Sequence, residues 1–427
     1  MTRRSLLQAL LVLVALAALM SPIPARPAAA AAGVYTCSVE VVGGDAVLSF
    51  GGDRGVSENL RRDGVWAGGV TGLDSLVVSG GAGSVFAVRV RGALFDVPFT
   101  EFGCSEVTPP PEAQAEVVVH ISIDGLRPDA LDPALTPTLH ALLVGGASTL
   151  NARNDSTVTR TLPNHTSQLT GRPVAGPSGH GLVDNEDLGG TIHDEAGEYV
   201  VSVFDVVHDH GLATGAFVSK AKFDFIDRSW DAANGAPDVT GADDGPDKLD
   251  AYLRSSPQAV TDAAVATLGA GTADYVFLHL RNPDEIGHLH TWGGPEYLAA
   301  VAEADALVAQ VMAVVENDPD LVGRTAVILT SDHGGPAGHD FHDDPLLEEN
   351  YTIPFIVWGP GVTAGADLYA LNVGLRRDPG SVQIPTGDGG SAEPLRGHDV
   401  GNLVTQLLGL PAIGGSVYNA GQSLAVA

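Results

Sequence analysis

Three short segments carry side chains that could hold cations. Asp124-Gly125-Leu126-Arg127-Pro128 follows residues 117–123, Pro283-Asp284-Glu285-Ile286-Gly287-His288 follows 275–280, and Ser331-Asp332-His333-Gly334-Gly335 follows 325–330. Each preceding run is apolar and rich in β-branched or aromatic residues, the pattern of a strand buried on both faces. Three strand ends therefore each present an Asp, and two of them add a His. Carboxylate oxygens and imidazole nitrogens suit Zn²⁺ or a similar divalent ion, and a set of this size suits two ions. A single Asp after a strand is more often a turn former or helix cap. Three of them at the strand ends of one sheet make a stronger case. A fourth segment offers a hydroxyl nucleophile: Arg160-Thr161-Leu162-Pro163-Asn164-His165, followed by Gly179-His180-Gly181-Leu182-Val183-Asp184-Asn185.

The elements that must position these residues can be read around them. A further apolar run at 353–358 predicts another strand. Residues 296–316 predict a helix, with Leu298, Val301, Leu307, Val308, Val311, Met312 and Val315 at three- and four-residue steps, and 403–408 a shorter one. Strands alternating with helices predict an α/β domain over 117–427, with a mostly parallel central sheet flanked by helices. Ligands of such sheets gather at the carboxyl ends of the strands, where the Asp and His residues lie. Ahead of this domain, Gly-rich turns between short β-type runs predict a small all-β, sandwich-like module at 33–107. Cys37 and Cys104 bracket it and are expected to form a disulfide. It reads as a spacer or as a binder of some surface. Residues 108–116, opening Thr108-Pro109-Pro110-Pro111, read as a stiff linker. Residues 1–32 read as a signal peptide: Arg3 and Arg4, an apolar run at 6–20 broken only by Gln8, then small residues with several cleavage registers. The protein is accordingly expected to be secreted, to extracellular space or a periplasm. No later stretch reads as long and apolar enough to cross a membrane.

In order, the strand-end Asp-Gly, the Thr-x-Pro-Asn-His turn, the Asp-x-x-Gly-His element and the Asp-His-Gly element resemble the alkaline phosphatase superfamily, nearest its type I phosphodiesterase/nucleotide pyrophosphatase branch. The resemblance covers about 117–410 and implies an alkaline-phosphatase-like fold around two zinc ions. One ion is expected on Asp124, Thr161, Asp332 and His333, the other on Asp284, His288 and a later histidine. Spacing favours His342 for that place over His339, with His398 third. Thr161 matches the family nucleophile and Asn185 the family residue that binds a phosphoryl oxygen. A free threonine hydroxyl is a poor nucleophile at neutral pH, and coordination to a divalent ion lowers its pKa. The implied reaction is attack of Thr161 on phosphorus, followed by hydrolysis of a threonyl-phosphate. Thr161-Leu162-Pro163-Asn164 lacks the Cys or Ser and the Arg of a sulfatase signature. Phosphoglycerate mutases of the superfamily use Ser and are usually cytoplasmic.

These features favour cleavage of small phosphodiesters or pyrophosphates. The alternatives are a phosphomonoesterase, for which Arg160 could supply the extra cation on a terminal phosphoryl group, and an inactive scaffold acting as a binding protein. Residues 217–230, with Lys220, Lys222, Phe223, Phe225 and Trp230, read as a candidate substrate lid or an anchored loop. The charge balance limits the partners: 22 Lys+Arg face 52 Asp+Glu, for a net −30, and lysine occurs only at 220, 222 and 248. With no basic stripe, a nucleic-acid or anionic-membrane binder is not expected. A small phosphoester is.

Overall fold

The computed structural model describes residues 111–238, 245–387 and 393–427, and before them short strand segments between 36 and 106. The chain divides into two compact units, Met1–Pro109 and Pro110–Ala427. In the first, eight strand segments pair into two four-stranded sheets, and the first strand, Thr36–Val42, runs beside the last, Ser105–Glu106. The expected signal segment 1–32 and the Cys37–Cys104 pairing lie outside the described residues.

The second unit is built on an eight-stranded sheet. Its strands are β1 (Val117–Ile123), β2 (Ala147–Arg153), β3 (Thr214–Val218), β4 (Ala251–Arg254), β5 (Tyr275–Leu280), β6 (Thr325–Thr330), β7 (Thr352–Trp358) and β8 (Ala366–Asp367). Their order is β4-β3-β5-β1-β6-β7-β2-β8. The run from β4 to β6 is parallel throughout, and only the pairs made by β7 are antiparallel. This is the mostly parallel α/β sheet that the alternating pattern predicts. The three strands that end in Asp or His segments, β5, β1 and β6, are neighbours at its centre.

The reason for the unbroken apolar runs is visible in the packing. Val118, Phe277 and Ile328 point into one buried cluster, and Val119, Leu278 and Leu329 into a second on the other face. Successive residues of a strand face opposite sides, so a strand covered on both must be apolar at every position. Helices α1 (Pro137–Gly145), α2 (Thr161–Thr170), α3 (Pro257–Gly269), α4 (Asn282–His290), α5 (Pro295–Asn317) and α6 (Val400–Leu407) are among those that cover it.

Three expectations change. Helix α5 is long and apolar enough to cross a membrane by length and composition, contrary to the expectation for segments after residue 32; half of its most apolar stretch is buried, with Tyr297, Val301, Val308 and Val311 in the core. Residues 114–116, assigned to the linker, belong to the second unit: Gln114 and Ala115 donate backbone hydrogen bonds to Leu407, and Glu116 to Arg324. The stretch 217–230 is no free lid. Phe217, Phe223, Phe225 and Trp230 are all buried.

Candidate active site

Asp124 leaves β1 fully buried, and the glycine after it is required by a close approach. Gly125 has φ +70°, and a Cβ there would lie 2.9 Å from Asp284 Cα. Its absence lets the start of α4 sit against the end of β1, where Asp284 N donates to Asp124 O at 3.1 Å. Asp332 and His333 follow β6, both without exposure. Gly335 and Gly287 leave room for the buried ring of Trp292, which a Cβ at either would strike. The Asp-Gly, Gly-His and His-Gly-Gly spacings therefore let three chain segments converge.

The result is two clusters of potential metal ligands. Asp124, Asp332 and His333 form one, and Asp284, His288 and His342 the other, each with its ligand atoms within 4.8 Å of one another. The two meet: His333 Nε2 lies 3.5 Å from Asp124 and 3.7 Å from Asp284, and the His333 and His342 rings stack at 3.6 Å. Of the late histidines, the structure brings His342 to this place. His339 is exposed, and His398 is buried elsewhere, 3.4 Å from Asp155.

Three histidines are held in one tautomer. Nδ1 of His333 bonds to Gly334 O (2.9 Å), that of His288 to Asp340 O (2.7 Å) and that of His342 to Thr159 O (2.6 Å). A carbonyl oxygen only accepts, so each Nδ1 carries the hydrogen, and in the neutral ring Nε2 presents its lone pair to the site. Burial holds the pKa of His333 below its usual range. For His342, burial and then the neighbouring His333 push it well below, so both stay neutral. Asp124 Oδ1, Asp284 Oδ1, Asp332 Oδ2 and His333 Nε2 are buried without a hydrogen-bond partner. His333 Nε2 faces Asp332 Oδ2 at 3.1 Å. At about 1–3 kcal/mol for each unsatisfied atom, four together would cost a large share of an ordinary domain's stability of about 5–15 kcal/mol. A cation set among them removes that cost. The donor set, all oxygen and imidazole nitrogen, fits divalent ions of the zinc type.

Thr161 opens helix α2, whose ten residues are all buried. In its first turn Leu162 N donates to Asn185 Oδ1, Asn164 N donates to Arg160 O and Pro163 has no N–H, which leaves the Thr161 N–H to meet an anion. Asn185 Oδ1 accepts from Leu162 N at 3.0 Å, which fixes the Asn185 amide beside Thr161. Asn164 pins the preceding loop, accepting from Asp155 N and donating to Val158 O and Arg160 O. His165 bonds to Thr161 O (2.8 Å) and Ser122 Oγ (2.8 Å). His279 Nε2 donates to Asp124 Oδ2 at 2.9 Å, the arrangement that orients a metal-binding carboxylate. Sequence reasoning passed over His165 and His279. The available signal was a histidine inside an otherwise apolar strand, at His279 as at His120.

Lys220, within the stretch that reads as a candidate substrate lid or an anchored loop, enters the site. Its Nζ lies 2.7 Å from Asp124, 2.5 Å from Asp284 and 3.4 Å from Thr161 Oγ1. Burial works against its charge, but Asp124, Asp284 and Asp332 more than offset this and push its pKa up. Burial would raise the Asp124 carboxyl, yet Lys220 and His279 hold it well below its usual range; burial and Asp124 push Asp332 well above. A cavity of about 510 Å³ opens over this cluster, lined by Thr161, Asn185, Lys220, Lys222, Asp284 and His342 among others. Arg160 does not line it; its guanidinium lies 3.8 Å from Asp343.

A parallel sheet with a hydroxyl at a helix start and paired carboxylate–imidazole clusters at its strand ends is the framework of a phosphoryl-transfer hydrolase. The family model for type I phosphodiesterase / nucleotide pyrophosphatase matches residues 118–374. The chain belongs to that family, and with it to the alkaline phosphatase superfamily. Among curated proteins it is 29% identical over 159 residues to 2,3-bisphosphoglycerate-independent phosphoglycerate mutase of Synechococcus elongatus (37% of this chain, 26% of that protein). It is 36% identical over 74 residues to arylsulfatase K of Xenopus laevis (17% of this chain, 14% of that protein). The chain spans about a quarter or less of the length of these relatives. A similar solved structure is murine ectonucleotide pyrophosphatase / phosphodiesterase 5, an inactive variant in complex with AMP, at 16% identity and a TM-score of 0.47, covering 69% of this chain and 95% of that one.

Proposed function

We propose that the protein is a secreted, zinc-dependent phosphoric ester hydrolase in which Thr161 is the nucleophile. The observation that carries this reading is the convergence of buried, unpartnered carboxylate and imidazole atoms beside a hydroxyl at a helix N-terminus. Asp124, Thr161, Asp332 and His333 would hold one ion, and Asp284, His288 and His342 the other. Bound zinc lowers the pKa of a hydroxyl or water and offsets charge on phosphoryl oxygens. Thr161 Oγ forms a bond to phosphorus as the bond from phosphorus to the leaving oxygen breaks. The leaving group departs with the electron pair and takes a proton from solvent. Water then attacks the threonyl-phosphate, which returns the hydroxyl and releases phosphate or a phosphate ester. The Thr161 backbone N–H and the Asn185 amide N–H donate to equatorial oxygens as charge builds there. The cavity of about 510 Å³ suits small phosphodiesters and pyrophosphates.

Thr161→Ala tests the reading. Turnover of para-nitrophenyl phosphoesters should fall by about 10³-fold or more, with zinc content by mass spectrometry nearly unchanged. Substantial residual turnover in the zinc-loaded variant would sink the mechanism.

A further inference from the structure

Helix α4 ends in a strained turn. Thr291, the residue after it, has φ +74° and ψ +145°, close to a region that is essentially reserved for glycine. A β-branched residue there is an outlier, and it persists only where its surroundings over-determine it. Backbone bonds supply that constraint on both sides. Thr291 N donates to Gly287 O at 2.9 Å, Trp292 N to His339 O at 2.9 Å, and Gly338 N to Trp292 O at 2.8 Å. The turn thus carries the chain off α4 and seats Trp292 as a short bridge against Ala337.

The Trp292 ring is fully buried where the strand-end segments meet. Its Nε1 donates to Gly125 O (3.3 Å), just beyond β1. A Cβ at Gly287, in α4, would lie 2.5 Å from the ring, and one at Gly335, beyond β6, 2.3 Å. The imidazoles that the ring meets nearly at right angles both belong to the second cluster: His288, with ring centroids 4.9 Å apart at 81°, and His342, at 5.6 Å and 68°. His288 is the least enclosed of the six clustered ligands, its side chain 46% exposed. Its one bond, from Nδ1 to Asp340 O, fixes a point of the ring and leaves it free to turn about that bond. A second ring set across it removes that freedom.

We infer that Trp292 is a positioning residue for the second ion. Its ring sets the planes of His288 and His342, whose Nε2 atoms each lie 3.5 Å from Asp284 Oδ1, so that the three ligand atoms stay within reach of one cation. Loss of the ring weakens the second ion and leaves the first, on Asp124, Thr161, Asp332 and His333, nearly as it was. The inference rests on the two-ion reading. Trp292 touches neither substrate nor metal; it acts through the two histidines, as outer-shell partners of metal ligands do.

The test is stepwise zinc binding, by competition with a chromophoric chelator, in the wild type, Trp292→Leu, Trp292→Phe and Thr291→Gly. His342→Ala marks which step belongs to the second cluster, and melting of the zinc-free proteins checks each fold. Trp292→Leu should weaken the second step by about 10- to 100-fold and the first by less than about threefold. Trp292→Phe keeps an aromatic ring without the Nε1 donor and should recover part of that loss. Thr291→Gly relieves the turn and keeps the ring, so both steps should stay within about threefold of wild type. Unchanged second-step affinity in folded Trp292→Leu protein, or equal weakening of both steps, would overturn the inference. So would a second-step loss in Thr291→Gly as large as that in Trp292→Phe, because the backbone and not the ring would then set the site. If Trp292→Leu does not fold, Trp292→Phe carries the comparison, with a loss at the second step that exceeds any at the first. Failure of the two-ion reading is separable: the wild type would then bind fewer than two ions, and the inference would fall with it.

Discussion

At the scale of single residues, the site depends on atoms that have nothing else to bond. Four buried atoms of Asp124, Asp284, Asp332 and His333 lack partners, while the Nδ1 atoms of His288, His333 and His342 are fully used by carbonyls. One face of each imidazole is thereby committed to the fold and the other left for a ligand. His342 and His339 are three residues apart, yet only His342 points inward. His342→Ala should therefore reduce zinc content from about two to about one ion per chain and lower turnover by about 100-fold or more. His339→Ala should leave both within about twofold. Inductively coupled plasma mass spectrometry of the two variants checks this, and equal zinc loss in both would contradict the assignment.

At the scale of elements, helix α2 explains how a polar segment can be the centre of the unit. Residues 161–170 show no apolar stripe, and all ten are buried. Side-chain bonds take the place of an apolar face: Gln168 with His120, Ser167 with His180, His165 with Ser122. His120 and His180 work here only as neutral rings, and burial pushes the pKa of each down to about 3. In the unfolded chain a histidine titrates near about 6.5, so as pH falls the unfolded state takes up these protons first. The stability they contribute is full above about pH 6.5 and drains toward about pH 3, at about 1.4 kcal/mol per pH unit for each ring. The melting temperature should fall steeply between about pH 6 and pH 4, and His180→Gln should make that slope shallower. An unchanged slope in a folded His180→Gln protein would remove this histidine from the account.

At the scale of the whole molecule, every proposed catalytic and metal-binding residue falls in the unit Pro110–Ala427. Its two buried clusters, one on each face of the sheet, give it a core of its own. Residues 110–427 expressed alone should fold and keep kcat/KM on small phosphoesters within about twofold of the full chain. Loss of activity in a folded fragment would give the first unit a part in the reaction. The net charge of −30 belongs to the same scale. It repels large polyanions at low salt, while the cavity over Thr161 is lined by charges of both signs, Lys220 and Lys222 beside Glu186 and Asp284.

Much of the candidate site was legible in the sequence because its parts are local. Asp124, Asp284, Asp332 and His333 sit at or just beyond the ends of apolar strands, and strand ends can be read from runs of adjacent residues. The parallel sheet was legible for the same reason: a strand covered on both faces must be apolar at each position, as β1, β5 and β6 are. The contributions that stayed hidden come from residues distant in the chain or placed by contacts rather than pattern. His279 reaches Asp124 across 155 positions and Lys220 reaches Thr161 across 59. The choice of His342 over His339 turns on a bond to Thr159, 183 residues away. Periodicity measures how often a chain returns to one face, and it carries no record of which distant face it meets. The sequence alone determined the strands, the ligand types and the nucleophile candidate. Only the tertiary structure decided which histidine closes the second cluster and that Lys220 lies beside the nucleophile candidate, because packing across the sheet sets those distances.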